Sequence, residues 1–297
     1  MTEISGELAA DDAPGPAPRR IAHLSDIHFG QIAAPGIVEA ALADVDASGA
    51  ELVVVSGDLT QRARTREYKA AKEMLDAFRA PVLAVPGNHD VAAWWHNPVQ
   101  RVFDSDARFR RFIDADRTPS VELGTARVSP PHVSVFGLDS AHGLTIKGGL
   151  IRTRDLARAE VYFSRQPPGT FKVAVLHHHL TRLRSIGSHD VAIGASRALA
   201  AFRRVGVDLV LCGHLHRSRV EAVEEIEGGG HLVVASAGTA TSSRGRGTDA
   251  NVNFYNWIDV STDRFEVCER RFDGRAFVTE RRTGFERARR ASTDGDV

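Results

Sequence analysis

Five short stretches of this chain gather residue types that bind cations and move protons. They are Ser25-Asp26-Ile27-His28, Ser56-Gly57-Asp58, Pro86-Gly87-Asn88-His89-Asp90, His177-His178-His179 and Gly213-His214-Leu215-His216. Imidazole nitrogen and carboxylate oxygen suit divalent metals of intermediate hardness, namely Zn, Fe and Mn. No thiolate belongs to the set, which argues against a zinc ribbon or an iron–sulfur cluster. Any one fragment alone reads as a turn or a cap. Five of them, each directly behind an apolar run, are hard to explain as turn chemistry.

Those runs are the elements that must carry the polar residues. Ile21–Leu24, Glu51–Val55, Pro81–Val85, Lys172–Leu176 and Val207–Leu211 read as short buried strands. In open α/β sheets ligands collect outside the carboxyl ends of the strands. Helical spacing over Ile37–Val45 and a charged amphipathic pattern over Arg64–Phe78 separate the first three. Strands that are continuously apolar and alternate with helices indicate βαβ units, an α/β fold whose sheet is covered on both faces. Val133–Leu138 is a further strand. Arg219–Val223, Leu232–Ala235, Phe254–Val260 and Arg264–Arg270 read as antiparallel strands and hairpins.

One segment breaks the alternation. Val91–Arg117 is helical in pattern and carries Trp94, Trp95, Phe103, Phe109 and Phe112. It is either a helix packing its aromatics into the core or a cap over the strand ends, with Trp94 as a substrate contact. With neither repeat nor linker, residues 20–285 are expected to form one domain. Residues 1–19, acidic and then rich in proline, read as a disordered tail, and 286–297 as a flexible one.

The composition narrows the function classes. Of 297 residues, 38 are Lys or Arg and 38 are Asp or Glu, so the formal charge is zero. That balance argues against coating nucleic acid by bulk electrostatics, and no stable nucleic-acid binding is expected. Cys212 and Cys268 cannot make a disulfide framework, which favours a reducing compartment. There is no apolar run of about 18 residues and no signal-peptide pattern, so no membrane span and a cytoplasmic location are expected.

The order Asp-x-His, Gly-Asp, Gly-Asn-His-Asp, His, Gly-His-x-His resembles the calcineurin-like metallophosphoesterase superfamily over about residues 20–270. Within it, the chain looks like the bacterial branch of cyclic-nucleotide and glycerophosphodiester phosphodiesterases. The resemblance implies a four-layer αββα sandwich, two mixed β-sheets flanked by helices, with two metal ions at the strand ends. It implies that Asp26, His28 and His216 hold one metal, that Asn88, His177 and His214 hold the other, and that Asp58 bridges them. Only a carboxylate has two anionic oxygens with which to bridge two cations. Extended alternation in His214-Leu215-His216 would send both rings to the same side.

The resemblance also marks His89 as the acid for the departing alkoxide; Asp90, as a neighbouring carboxylate, is expected to orient the His89 ring or sustain its protonated form. His178 stands beside the ligand His177 as a neighbour and substrate contact. Arg244 and Arg246, in the glycine-rich stretch after Leu232–Ala235, either meet a phosphate or carboxylate of the substrate or lie in a solvated loop. His23 reads as a hydrogen-bonded core residue, Cys212 as a small core residue, and His96, His132, His142 and His231 as surface. His189-Asp190 reads as part of the long loop after the histidine triplet rather than as a pocket residue. The leading function is a phosphodiesterase that uses two divalent ions (Mn, Fe or Zn) to ready a water for attack on a small-molecule phosphoester. A DNA-processing nuclease, a nucleotide-sugar pyrophosphatase and a silent scaffold of the same fold are the alternatives.

Overall fold

The computed structural model describes residues 17–92, 104–124, 131–143, 148–226 and 230–287. Two six-stranded mixed sheets face one another. The first has the order β12-β11-β10-β1-β2-β3, built from β1 (Arg19–Leu24), β2 (Leu52–Val55), β3 (Val82–Ala84), β10 (Phe254–Val260), β11 (Arg264–Phe272) and β12 (Phe277–Glu286). The second has the order β4-β5-β6-β7-β9-β8, from β4 (Ser120–Leu123), β5 (Val133–Gly137), β6 (Phe171–Val175), β7 (Leu209–Cys212), β8 (Arg219–Ile226) and β9 (Gly230–Ser236).

Three apolar clusters define the layers. Between the sheets, Ile21, Leu52, Val54, Leu83 and Ile258 pack against Val133, Val173, Leu209, Leu211 and Val233. Alternate residues of the same strands, Ala22, Leu24, Val53 and Val55, face helices α1 (Ile37–Ala47) and α2 (Thr65–Ala77) through Ile37, Ala41, Tyr68 and Met74. On the outer face of the second sheet, Ala174 and Val210 meet α4 (Thr153–Ser164) and α5 (Ala195–Val205) through Leu156, Phe163 and Phe202. Helix, sheet, sheet, helix is the αββα sandwich implied by the resemblance. Strands such as β2, Leu-Val-Val-Val, are buried throughout because a neighbour covers each face.

In the interrupting segment, residues 93–103 lie outside the described residues, and Trp94, Trp95, His96 and Phe103 with them. The described remainder holds one short helix, α3 (Ala107–Phe112). It ends where the Asp114 side chain accepts the Asp116 N–H (2.8 Å), a local bond that competes with helix continuation. Phe109 is fully buried in the α1–α2 cluster and Phe112 stacks on Tyr68 (5.9 Å between centroids). Burying a phenyl ring of this kind stabilises by about 1.5–3 kcal/mol. The described part of the segment therefore packs into the core.

Parallel pairing sets the site edge. Leu24 is opposite Val55, and Val55 opposite Ala84, in the first sheet. Val175 is opposite Leu211 in the second. Five strands consequently stop level with one another, and the residues that follow them meet along one edge of the sandwich.

Candidate metal centre

Close approach of the strand ends depends on small residues. A Cβ at Gly87 would collide with Asp58 Oδ1 and the Asp58 N–H, and one at Gly213 with Ser25 Oγ. Among the described residues, seven non-glycine residues have positive φ, and five of them are Asp26, His28, Asp58, His214 and His216. Such a conformation costs roughly 1–2 kcal/mol for a residue with a Cβ. Its concentration on these side chains shows a backbone bent to aim them. The segment His214-Leu215-His216 is therefore not extended, as alternation had required. Left-handed φ values of 71° and 56° turn the two rings into the site instead.

The histidine tautomers follow from their partners, because a carbonyl only accepts. His28 Nδ1–H donates to the Thr60 carbonyl (3.2 Å), His216 Nδ1–H to that of Arg244 (2.7 Å) and His177 Nδ1–H to that of Ser56 (2.8 Å). Each ring thus presents Nε2 to the site. His28 Nε2 and His216 Nε2 lie 3.4 Å apart. Asp26 Oδ1, buried and without a hydrogen-bond partner, is 3.5 Å from the first and 3.1 Å from the second. Three converging electron pairs with no hydrogen fixed among them are the donor set of a cation. Asp26, His28, Asp58 and His216 offer atoms all within 4.8 Å of one another.

A second group adjoins the first. Asn88 Oδ1 is 3.2 Å from His177 Nε2 and 2.9 Å from His214 Nδ1. Asp58 Oδ2 lies 3.5 Å from His28 Nε2 and 3.4 Å from His177 Nε2, between one ring of each group. Its other oxygen accepts the His89 N–H (2.8 Å). His178, His177 and His214 also form a potential metal-holding cluster, with His178 Nδ1 2.9 Å from Ser140 Oγ.

The electrostatics agree. Burial pushes the Asp26 carboxyl up, but the His216, His28 and His177 rings outweigh it and hold Asp26 well below the usual range. Burial likewise acts against ionised Asp58, and His177, His89 and His28 again win. Burial lowers His177, yet Asp58 and Asp26 raise it to about 9. The cluster demands positive charge, which protons supply when metal does not. Cations displace those protons, so metal affinity falls in acid.

At the open side, His89 is half-buried, and its Nδ1–H donates to the Gln61 carbonyl (2.8 Å), leaving Nε2 to the site. Its ring packs edge-on against His28 (4.9 Å). Burial, only partly opposed by Asp58, lowers its pKa.

A model of the calcineurin-like phosphoesterase family matches residues 19–218. The chain belongs to that family. A probable glycerophosphodiester phosphodiesterase, GpdQ, of Arcobacter nitrofigilis is 29% identical over 171 residues, covering 56% of this chain and 57% of the relative. The 3',5'-cyclic adenosine monophosphate phosphodiesterase CpdA of Escherichia coli is 28% identical over 179 residues, covering 56% of this chain and 54% of the relative. The chain thus spans little more than half the length of these two curated relatives. Among solved structures, the purple acid phosphatase PPD1 of yellow lupin superposes with a TM-score of 0.64 at 14% identity. That match covers 92% of this chain and 55% of the lupin chain, and it is a likeness of fold.

In this calcineurin-like phosphoesterase the seven expected ligand side chains come together, and so does His89. Asp90 differs from expectation. Its carboxylate accepts from the backbone N–H groups of Gly87 (3.0 Å), Leu59 (3.1 Å) and Thr60 (2.9 Å) and from Thr60 Oγ1. It ties the loop carrying Asp58 to the loop carrying Asn88, while Gln61 orients the His89 ring. Trp94 lies outside the described residues. His189 stays in its own loop, 3.3 Å from the Thr181 carbonyl and 5.1 Å between ring centroids from His179. His132, expected at the surface, is buried against Thr170 (2.9 Å). His23 and Cys212 are core residues, as read. The sequence reading gave no role to Ser56, Thr60 and Gln61, whose backbone carbonyls fix His177, His28 and His89. Any residue has one, so composition gives no signal for it.

Proposed function

We propose that the protein is a metal-dependent phosphodiesterase acting on a small-molecule phosphodiester, a cyclic nucleotide or a compound of similar size. The observation that carries this reading is Asp58 Oδ2 between His28 Nε2 and His177 Nε2, at 3.5 and 3.4 Å, which suits one carboxylate shared by two cations. Asp26, His28 and His216 would hold one divalent ion, and Asn88, His177 and His214 the other. When bound, such a pair supplies Lewis-acid polarisation of a phosphoryl oxygen and a water acidic enough to react near neutral pH.

The rest is done by the chain. His89 keeps its Nδ1 proton on Gln61 and delivers a second one from Nε2 to the departing alkoxide. Lowering of its pKa by burial makes the imidazolium a stronger acid but a smaller share of the protein near neutral pH. Glycerophosphodiesters and cyclic AMP, named for the two relatives, are the diester classes to try first. Mn, Fe and Zn all suit an N/O donor set of this kind. The reading places the protein in the cytoplasm on its two buried free thiols. No helix among the described residues is long and apolar enough to cross a membrane.

The test is hydrolysis of bis(4-nitrophenyl) phosphate, 4-nitrophenyl phosphate and cyclic nucleotides with Mn²⁺ added, before and after chelation. The reading expects diester cleavage that chelation abolishes and Mn²⁺ restores. Cleavage of monoesters alone, or cleavage indifferent to chelation, would overturn it.

A further inference from the structure

Arg244 follows β9 in a loop that folds back over the metal-binding edge. Ile32 pairs with Ser242, and the Ser243 N–H donates to the Gln31 carbonyl (3.2 Å), so the loop is moored to the stretch just after His28. The Arg244 carbonyl anchors His216. Its guanidinium is half-buried, and among the described residues its one hydrogen bond is from Nη1 to Gln61 Oε1 (3.0 Å).

No carboxylate pairs with it among the described residues. Several partly buried arginines have one: Arg20 has Asp259, Arg152 has Asp139, Arg219 has Asp249 and Arg270 has Asp44, whereas Arg108 and Arg217 bond to backbone carbonyls instead. Withdrawing a guanidinium from water without a counter-ion is costly. The remaining N–H groups of its planar fork match two oxygens of a phosphoryl group. Gln61 holds both ends of this side of the site, its carbonyl fixing His89 and its side-chain oxygen fixing Arg244.

We propose that Arg244 is the anion-contacting side chain of this site, binding non-bridging phosphoryl oxygens beside His89, and that Gln61 is the positioning residue that holds it. The proposal rests on the phosphoesterase reading for its substrate but makes a separate claim about binding. Gln61→Ala keeps the carbonyl that anchors His89 and removes only the hold on Arg244. Arg244→Lys keeps the charge and the carbonyl that anchors His216.

The experiment is calorimetric titration of inorganic phosphate into Mn²⁺-loaded protein, with metal content measured for every variant. Arg244→Ala is expected to weaken phosphate about 10- to 100-fold, the worth of a charge-assisted contact. Gln61→Ala should weaken it by about threefold to tenfold, and Arg244→Lys should recover part of the loss. The double alanine variant should be no weaker than Arg244→Ala alone, because Gln61 acts only through Arg244. Unchanged affinity in Arg244→Ala, no recovery in Arg244→Lys, or a full Gln61 effect without Arg244 would each overturn the proposal. A wild-type protein that binds phosphate through Arg244 yet hydrolyses no phosphoester would end the functional reading and leave the anion site standing. Diester hydrolysis with phosphate affinity indifferent to Arg244 would do the reverse.

Discussion

A histidine offers an electron pair to a cation only when its other nitrogen is made to keep the proton. Here that instruction comes from main-chain carbonyls: Thr60 for His28, Ser56 for His177, Arg244 for His216 and Gln61 for His89. Three of the four rings face a carboxylate within 3.5 Å, the arrangement the proposed ligand set requires. His89 has its Nε2 on the more open side, which suits an acid. Replacing it should separate the two roles. His89→Asn is expected to lower kcat on a diester with a poor leaving group by about 10²-fold or more while leaving metal content near wild type. The comparison with an activated aryl diester checks it, because a good leaving group needs little protonation. An equal loss on both substrates would point to a damaged metal site.

At the scale of elements, the site is the product of strands that stop together. The apolar runs ending in Asp26, Asp58, Asn88, His177 and His214 were legible because a buried strand cannot continue into charged residues without leaving the core. The seven candidate ligands and the sandwich could be reached from that pattern and the resemblance it carries. Other elements were not legible for physical reasons. β12 places Glu280, Arg281 and Arg282 in solvent on an outer strand, so its sequence carries no apolar alternation to mark a strand within the expected domain, and it is hydrogen-bonded to β11. The reading assigned no element to α4 or α5, whose apolar faces are narrow and whose exposed faces are rich in arginine. Asp90 was mistaken for a partner of His89 because sequence adjacency does not reveal a carboxylate turned back onto three backbone N–H groups. The join it makes with Gly87 should be intolerant of bulk. Gly87→Ala would push a methyl group into Asp58 and is expected to lose most bound metal and at least about 10²-fold in activity, with far-ultraviolet circular dichroism retained. Full metal occupancy in that variant would show that the strand ends have more room than the structure gives them.

Across the whole molecule, the centre joins the two sheets. Asp26, His28, Asp58 and Asn88 follow strands of the first, and His177, His214 and His216 follow strands of the second. Acid should loosen the sandwich through the core as well. His23 is fully buried between Ser56 and Asn256, and burial, slightly opposed by Asp26, lowers its pKa from 6.5 to about 3. Between those values only the unfolded chain binds the proton, so stability present above pH 6.5 is lost as pH falls toward 3. Metal-free protein should lose about 2 kcal/mol through this residue between pH 7 and pH 5, and His23→Asn should lose correspondingly less, as read from urea midpoints at the two pH values. Equal losses in both proteins would remove His23 from the account. The central claim, that one carboxylate is shared by two cations at the junction of the sheets, is tested most directly by anomalous diffraction from crystals grown with Mn²⁺. The account predicts two peaks flanking Asp58, one beside Asp26, His28 and His216 and one beside Asn88, His177 and His214. A single peak, or none at full Mn²⁺ saturation, would contradict it.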